Sequence, residues 1–280
     1  MDNCYNCDSS NIIFIKGEFK KICPVCGAWF VDTNEDTDFH SLYSKKYFEG
    51  DEYLNYELGK SVHKKNFVKK IKILDKYLAK EKIRILEIGS ATGEFLKVAN
   101  DFGIHQTMGI EISAFARDKA LEQGIKLLAP TDPSILVKIR EFKPNLIVAW
   151  DVWEHLEYPT SIMKEYLQLG TSDVIFALTT VDAGSSVAIK RQEKWRQFHP
   201  PTHINYPTKK SFEIFFKNNK FKVMNVSYFG YFRPLAVYLA ALIGPRGWIK
   251  NSNFLFNIPM YLNLYDTQMV IAKRIDGTNK

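Results

Sequence analysis

Cysteine is absent beyond residue 26 of this 280-residue chain, so the bulk of it has no thiol to offer and covalent attack by cysteine is excluded there. Long uncharged runs are missing too. The longest one late in the chain, Asn251 to Tyr265, carries four asparagines and a proline and is shorter than the roughly 20 residues of a membrane-spanning helix. Acidic residues are outnumbered, giving a net charge of +7 and a pI near 9.0, yet no long basic run accompanies the excess. Lysines spread in this way read as a solvated surface that tolerates anionic partners, not as a nucleic-acid footprint. The opening MDNCYNCDSS has no basic segment leading into an apolar one, so no secretory signal is expected; the reading is a cytoplasmic protein with reduced thiols. A hydrophobic content of 46% and a charged content of 25% are ordinary for a globular protein. The length allows one large core and a small appended module.

What is present begins with the cysteines. They form two pairs, CYNC at Cys4 and Cys7 and CPVC at Cys23 and Cys26, with 15 residues between the pairs. Two residues between ligands let one tight turn aim both thiolates at one ion, and two such turns complete a tetrahedral zinc site. Gly27 suits the left-handed backbone that such a knuckle needs. The segment between, NIIFIKGEFKKI, reads as a hairpin turning near Lys16 and Gly17. Four protein ligands leave no position for water or substrate, so the expected ion is structural Zn2+ in a ribbon over residues 1–31. Two disulfides or a redox pair are the rival readings, disfavoured by the expected compartment and by the lack of a thioredoxin-like unit.

An acidic stretch, VDTNEDTD, opens a segment over residues 32–80 read as a linker and helical lid. Within it SVHKKNFVKKIKILDKYLAK places Phe67, Ile71, Leu74 and Leu78 at helical spacing with lysines opposite. From residue 81 to 280 helices alternate with short apolar strands, at Ile83–Ile88, Thr107–Ile112, Ile125–Leu128, Asn145–Trp150 and Asp173–Thr180. That alternation predicts an α/β fold with a mostly parallel sheet covered on both faces. FKVMNVSYF and TQMVIAKRI add two strands without a clear crossover helix, and the last is expected to run antiparallel.

The strand ILEI breaks into Gly89-Ser90-Ala91-Thr92-Gly93, a turn of the kind that brings a nucleotide-like cofactor to a helix start. It lacks the G-x-G-x-x-G spacing of a dinucleotide site. Glu111 closes the second strand, where a carboxylate can accept from both hydroxyls of a ribose. The fourth strand ends in Asp151-Val152-Trp153-Glu154-His155, at the carboxyl edge where open α/β sheets bind ligands.

LEIGSATGEFLKVANDFG, MGIEISAFARDKALEQG, NLIVAWDVWEHLEYP and KWRQFHPPTHINYPTKKSFEIFFKNNKFKVMNV stand in this order, with LYDTQMVIAKR as closing strand. In this the sequence resembles the class I S-adenosylmethionine-dependent methyltransferases, which have a Rossmann-like sheet. The likeness is greatest to the subgroup with a glycine loop, an E-H-L motif after the fourth strand and a later W…H segment. It covers roughly Phe39 to Arg274. Ser90-Ala91 replaces the Cys-Gly often found in the loop, and LQLGTSDVIF lacks the usual Pro-Gly-Gly turn. An N-terminal zinc ribbon occurs in some related enzymes, sugar methyltransferases included.

The resemblance implies S-adenosylmethionine as cofactor. Glu87 would hydrogen-bond its methionine amino group, and Gly89, Ser90, Ala91 and Gly93 would form the turn against it. Glu111 would hold the ribose, Ile112 would pack on adenine, and Asp132 would reach the adenine amine. Asp151 would line the methionine end, with Tyr53 and Tyr56 as contacts from the lid. Methyl transfer to a hydroxyl calls for a base, and among six histidines His155 and His203 fall at the expected mouth, with His199 behind them. The expected acceptor is a small molecule or a saccharide, methylated at oxygen. Two alternatives stand beside it. One is an RNA methyltransferase using the ribbon for substrate, disfavoured by the lack of an Asn/Asp-Pro-Pro-Tyr element. The other is a non-catalytic cofactor-binding module.

An apolar insertion at about 229–265, with PLAVYLAALIG and FLFNIPMYL, is too greasy for a free loop. Three uses are open, in this order: a cap on the acceptor pocket, a homodimer interface, or peripheral contact with a lipid-linked acceptor.

Overall fold

A computed structural model describes residues 3–10, 15–16, 20–31, 60–78, 83–243 and 253–275. Tyr53, Tyr56, the acidic linker and the turn of the N-terminal hairpin lie outside them.

Seven strands form the main sheet, in the order β10-β13-β8-β7-β4-β5-β6. In chain order these are β4 (Arg84–Ile88), β5 (Gln106–Ile110), β6 (Leu127–Leu128), β7 (Leu146–Trp150), β8 (Ile175–Val181), β10 (Phe221–Tyr228) and β13 (Thr267–Arg274). Neighbouring pairs from β8 to β6 are parallel, and β13 runs antiparallel to both β8 and β10, as the closing strand was expected to.

The strands are apolar throughout because both faces are buried, and alternate residues divide cleanly between two cores. Leu86, Ile147, Ala149, Phe176, Leu178, Val270 and Ala272 face one side. Ile85, Leu146, Val148, Trp150, Ile175, Ala177, Met269 and Ile271 face the other. The first core is closed by Ile135 and Ile139, by Met163 and Tyr166, and by Phe212, Phe215 and Phe216. These come from the helices Ile135–Phe142, Pro159–Gln168 and Lys209–Asn218. The second is closed by Ile71 and Leu74, Phe95 and Leu96, and Ala120, from the helices Lys60–Leu74, Glu94–Asp101 and Ala114–Glu122.

Boundaries shift from the sequence reading for local reasons. The amide of Ile125 is spent on the carbonyl of Ala120, finishing the preceding helix, so β6 starts two residues later than its apolar run. The amide of Val174 closes a turn on Thr171, which moves the start of β8 to Ile175.

The cysteine-rich segment contributes β1 (Ile15–Lys16), β2 (Lys21–Ile22) and β3 (Trp29–Phe30) to a small antiparallel sheet. Its fourth strand, β9 (Asn205–Tyr206), belongs to the large domain: Trp29 faces Tyr206 and Phe30 faces Asn205. The apolar insertion also has structure. Its strands β11 (Tyr231–Pro234) and β12 (Pro259–Leu262) pair antiparallel, with helices Leu235–Ile243 and Asn253–Asn257 between them. The Asn66 side chain anchors it, donating to the carbonyl of Phe232 (2.9 Å) and accepting from that residue's amide (2.7 Å). No described helix is long and apolar enough to cross a membrane.

Candidate functional site

The carboxyl ends of β4, β5 and β7 meet at one edge of the sheet. Between β4 and the helix that follows, Gly89 and Gly93 adopt φ of 70° and 78°. A Cβ at Gly89 would stand 2.5 Å from Val152, so the turn passes hard against the segment after β7. The amide of Ala91 donates to Glu111 Oε2 and that of Ser113 to Glu111 Oε1, both at 2.8 Å. Glu111 thus stands one residue past β5, and its two oxygens brace the glycine turn and the next helix start. Ser90 Oγ donates to the carbonyl of Glu87 (3.1 Å). Ile112, beside Glu111, is 38% exposed, an apolar side chain presented at the rim.

Glu87 is 3% exposed, and its Oε2 has no hydrogen-bond partner among the described residues. Burial pushes its carboxyl well above the usual carboxylate range. Glu111 is raised by burial as well, with its backbone donors opposing. A buried carboxylate oxygen without a partner among the described residues has room for a donor from a bound ligand. The amine and ribose hydroxyls of S-adenosylmethionine are donors of that kind. The residues present fit that cofactor.

Asp132 is placed differently. Its carboxylate accepts from Ser134 N and Ser134 Oγ (2.9 and 2.7 Å) and pairs with Lys138 Nζ (2.6 Å). The group is committed to the start of the helix at Ile135.

Asp151 sits at the tip of β7 with φ of 56°, its amide on the carbonyl of Thr179. Two residues that the sequence reading missed converge on it. Tyr231 Oη donates to Asp151 Oδ1 (2.6 Å), and Lys70 Nζ lies 3.6 Å from Oδ2 and 4.6 Å from the centre of the Trp150 ring. Lys70 is 1% exposed; burial lowers its pKa, while Asp151 and Glu87 oppose the shift. A signal for Lys70 was available, since it lies on the same helical stripe as Phe67, Ile71 and Leu74. Nothing local marks Tyr231, which arrives from the insertion, 80 residues beyond Asp151.

A tight turn over Trp153–His155 then brings Glu154 and His155 up to His203. One donor atom from each of the three lies within 4.8 Å of the others. Glu154 Oε2 accepts from Thr180 Oγ1 (2.7 Å), and burial with repulsion from Asp151 raises its carboxyl to about 8. His155 Nδ1 donates to the carbonyl of Thr202 (2.8 Å) and His203 Nδ1 to that of Gln197 (2.9 Å). Burial lowers His155 to about 4, and burial with the neighbouring imidazoles lowers His203 further. His199 stacks on His203 with ring centres 3.7 Å apart.

The ribbon supports this cluster from behind. Trp153 Nε1 donates to Asn6 Oδ1 (2.6 Å), and Thr208 Oγ1 to the carbonyl of Cys26 (2.6 Å). Cys4, Cys7, Cys23 and Cys26 are all buried, with their sulfurs within 4.8 Å of one another. Cys4 and Cys26 Sγ are 3.7 Å apart, too far for a disulfide. That spacing matches the edge, about 3.8 Å, of a tetrahedron with 2.3 Å bonds to zinc. The two knuckles are alike: Asp8 and Gly27, each following the second cysteine of its pair, have φ of 63° and 75° and donate their amides to Cys4 and Cys23. The cysteine cluster fits a zinc ribbon.

The model of a protein family described as a methyltransferase domain matches residues 62–226, and the chain belongs to that family. No curated protein matches the sequence. Among solved structures, the chain is similar to magnesium protoporphyrin IX methyltransferase from Synechocystis PCC 6803 with bound SAH. The identity is 10%, 84% of this chain and 98% of that one are covered, and the TM-score is 0.55. It is also similar to a SAM-dependent methyltransferase from Thermotoga maritima, at 14% identity over 85% of this chain and 100% of that one, with a TM-score of 0.52. At such identities the likeness speaks for the fold alone. The fold is that of the class I methyltransferases, and the protein is an S-adenosylmethionine-dependent methyltransferase.

Proposed function

We propose that the enzyme methylates a hydroxyl oxygen of a small-molecule or saccharide acceptor. The observation that carries this is the pairing of His155 with His203, rings 4.6 Å apart, one turn beyond Asp151 at the edge where the glycine loop lies. Both imidazoles are held neutral by burial, with Nδ1–H spent on a carbonyl. The lone pair of each therefore lies on Nε2, the atom to which a hydroxyl proton would pass.

S-adenosylmethionine, when bound, supplies an electrophilic methyl whose bond to sulfur breaks as the bond to the acceptor oxygen forms. Glu87 would accept from its amino group, and Lys70 would stand as counter-charge to its carboxylate. Glu111 would hold the ribose, and Ile112 would cover the adenine. Asp151, oriented by Tyr231 and Lys70, would face the methionine end. Asp132 would reach the adenine only by giving up Ser134 or Lys138. Cys4, Cys7, Cys23 and Cys26 would hold one structural zinc ion. Saccharides are the first acceptor class to test; Trp153 and Trp195, both fully buried, offer no face to one.

The test is methyl transfer from radiolabelled S-adenosylmethionine to a panel of saccharides, phenols and amines. Labelled product stable to base and formed only with hydroxyl acceptors supports oxygen as the target. Product confined to amines removes that reading.

A further inference from the structure

The triad Glu154, His155 and His203 has no assigned part as a unit, and its geometry reaches beyond proton transfer. A lone base needs one nitrogen and one orienting partner. Here two imidazoles and a carboxylate present donor atoms within 4.8 Å of one another, with Glu154 2% and His203 6% exposed. Each imidazole is fixed by a backbone carbonyl at Nδ1, on Thr202 and on Gln197, so the lone pair of each lies on Nε2. An Nδ1–H bound to a carbonyl is the arrangement of a histidine that ligates a metal through Nε2. The carboxylate is fixed as well, by Thr180 Oγ1. Three ligands are thus each oriented by a second group.

Asp151 adds negative charge one turn away, opposed by Lys70, which pairs with Asp151 and also acts on Glu154. The backbone amide of Ile204 donates to the carbonyl of Glu154 (2.9 Å), tying the two arms of the cluster together. The donors come from two segments: the turn after β7, and the loop leading into β9.

We infer that Glu154, His155 and His203 form a binding site for a divalent transition-metal cation, separate from the cysteine cluster. Two nitrogens and one carboxylate oxygen suit Mn2+, Fe2+, Co2+ or Zn2+ and leave coordination positions open. Resting on the function proposed above, an oxygen of the acceptor would take one of them. A bound cation would then occupy the Nε2 lone pairs, so that it, and not a histidine, would lower the pKa of that hydroxyl, whose proton would leave to solvent.

The experiment uses the full chain given a single equivalent of zinc, which the four thiolates take first, titrated with Mn2+ and followed by the loss of the free-ion EPR signal. Co2+ absorption serves as the second probe. Mn2+ is a poor thiolate ligand partner, so the cysteines do not compete for it. One Mn2+ or Co2+ per chain is expected beyond the ribbon zinc. The affinity should fall at least about tenfold in Glu154→Gln, which keeps the size and the Thr180 bond, and likewise in His203→Gln. Binding of SAH and a cooperative melt show that each variant is folded. No uptake of either ion at millimolar concentration, with or without SAH, overturns the site, as does unchanged uptake in both folded variants. The two proposals separate cleanly. Metal uptake without hydroxyl methylation leaves the site standing and removes the acceptor reading. Hydroxyl methylation undiminished in enzyme that keeps only its ribbon zinc, with no further metal uptake, does the reverse.

Discussion

Between Glu87 and Ser113 the sheet edge is built from close neighbours in the chain. Glu111 reaches 20 residues to Ala91 and two to Ser113, and Ser90 reaches three to Glu87. Across the groove the distances along the chain are of another order. Trp153 leans on Asn6, 147 residues away; Asp151 takes its hydroxyl donor from 80 residues on, and His155 its carbonyl from 47. The cofactor side is a local structure that a strand and a turn specify almost by themselves. The side proposed to receive the acceptor is complete only after the ribbon, the β7 turn, the β9 loop and the insertion have all been assembled. Binding of cofactor should therefore survive damage that stops transfer, and the two should come apart under mutation.

The largest effect is expected on the local side. Glu111→Ala removes a carboxylate that braces the turn and would hold the ribose, so SAH affinity should fall by about 1,000-fold, the worth of two hydrogen bonds to a charged group. Calorimetric titration measures it, and a loss below tenfold would detach Glu111 from the cofactor. Next comes the ribbon. Cys23→Ser, or chelation of the zinc proposed there, should free Asn6 from Trp153 and β3 from β9, and turnover should drop by about 100-fold through misplacement of the proposed acceptor side. The SAH dissociation constant should stay within about threefold. An equal loss in both quantities would erase the distinction between the two sides.

Tyr231→Phe deletes one hydrogen bond to Asp151 and keeps the packing. Turnover should fall by about fivefold to tenfold, as expected for one bond of about 1 kcal/mol, again with cofactor affinity nearly unchanged.

The last effect concerns stability. Glu87 has a pKa raised by burial, so the folded protein binds a proton there more readily than the unfolded chain does. Stability linked to this group is present at low pH and is lost as the pH rises from the ordinary carboxylate value through the raised one. Glu87→Gln should therefore melt like the parent at pH 4 and be more stable at pH 8 in the absence of cofactor, by at least about 1.4 kcal/mol, the worth of one pKa unit. Thermal denaturation at the two pH values checks this. A variant less stable than the parent at pH 8 would mean that the carboxylate is sustained by Lys70 after all.

The same division governs what could be read from the sequence. Alternating strands and helices, the parallel sheet and its antiparallel closing strand follow from apolar runs whose residues pack on both faces, a pattern carried by adjacent positions. The cysteine spacing carried the cluster for the same reason, both turns being completed within five residues of backbone. Asp151, Glu154 and His155 were legible as a motif. Their partners were not, because Tyr231, Asn6 and the carbonyl of Thr202 are ordinary residues until the fold delivers them. Lys70 lies between these cases, a charge on a buried stripe that only a map of the sheet edge explains. The apolar insertion was recognisable as structured. Its docking, through the Asn66 amide to a strand backbone, involves a residue with no distinguishing context in the sequence.

One glycine links the two halves. The missing Cβ of Gly89 is the space that Val152 occupies, and Val152 introduces the turn bearing Glu154 and His155. A methyl group there cannot be absorbed by the cofactor loop alone; it must push the neighbouring segment aside, and with it the histidine. In a mutational screen Gly89→Ala would thus score twice, as a weaker grip on cofactor and as a changed choice of acceptor. Selecting for acceptor preference alone would then return substitutions at Val152 that trim its side chain, since a smaller residue there restores the clearance without touching either set of polar contacts.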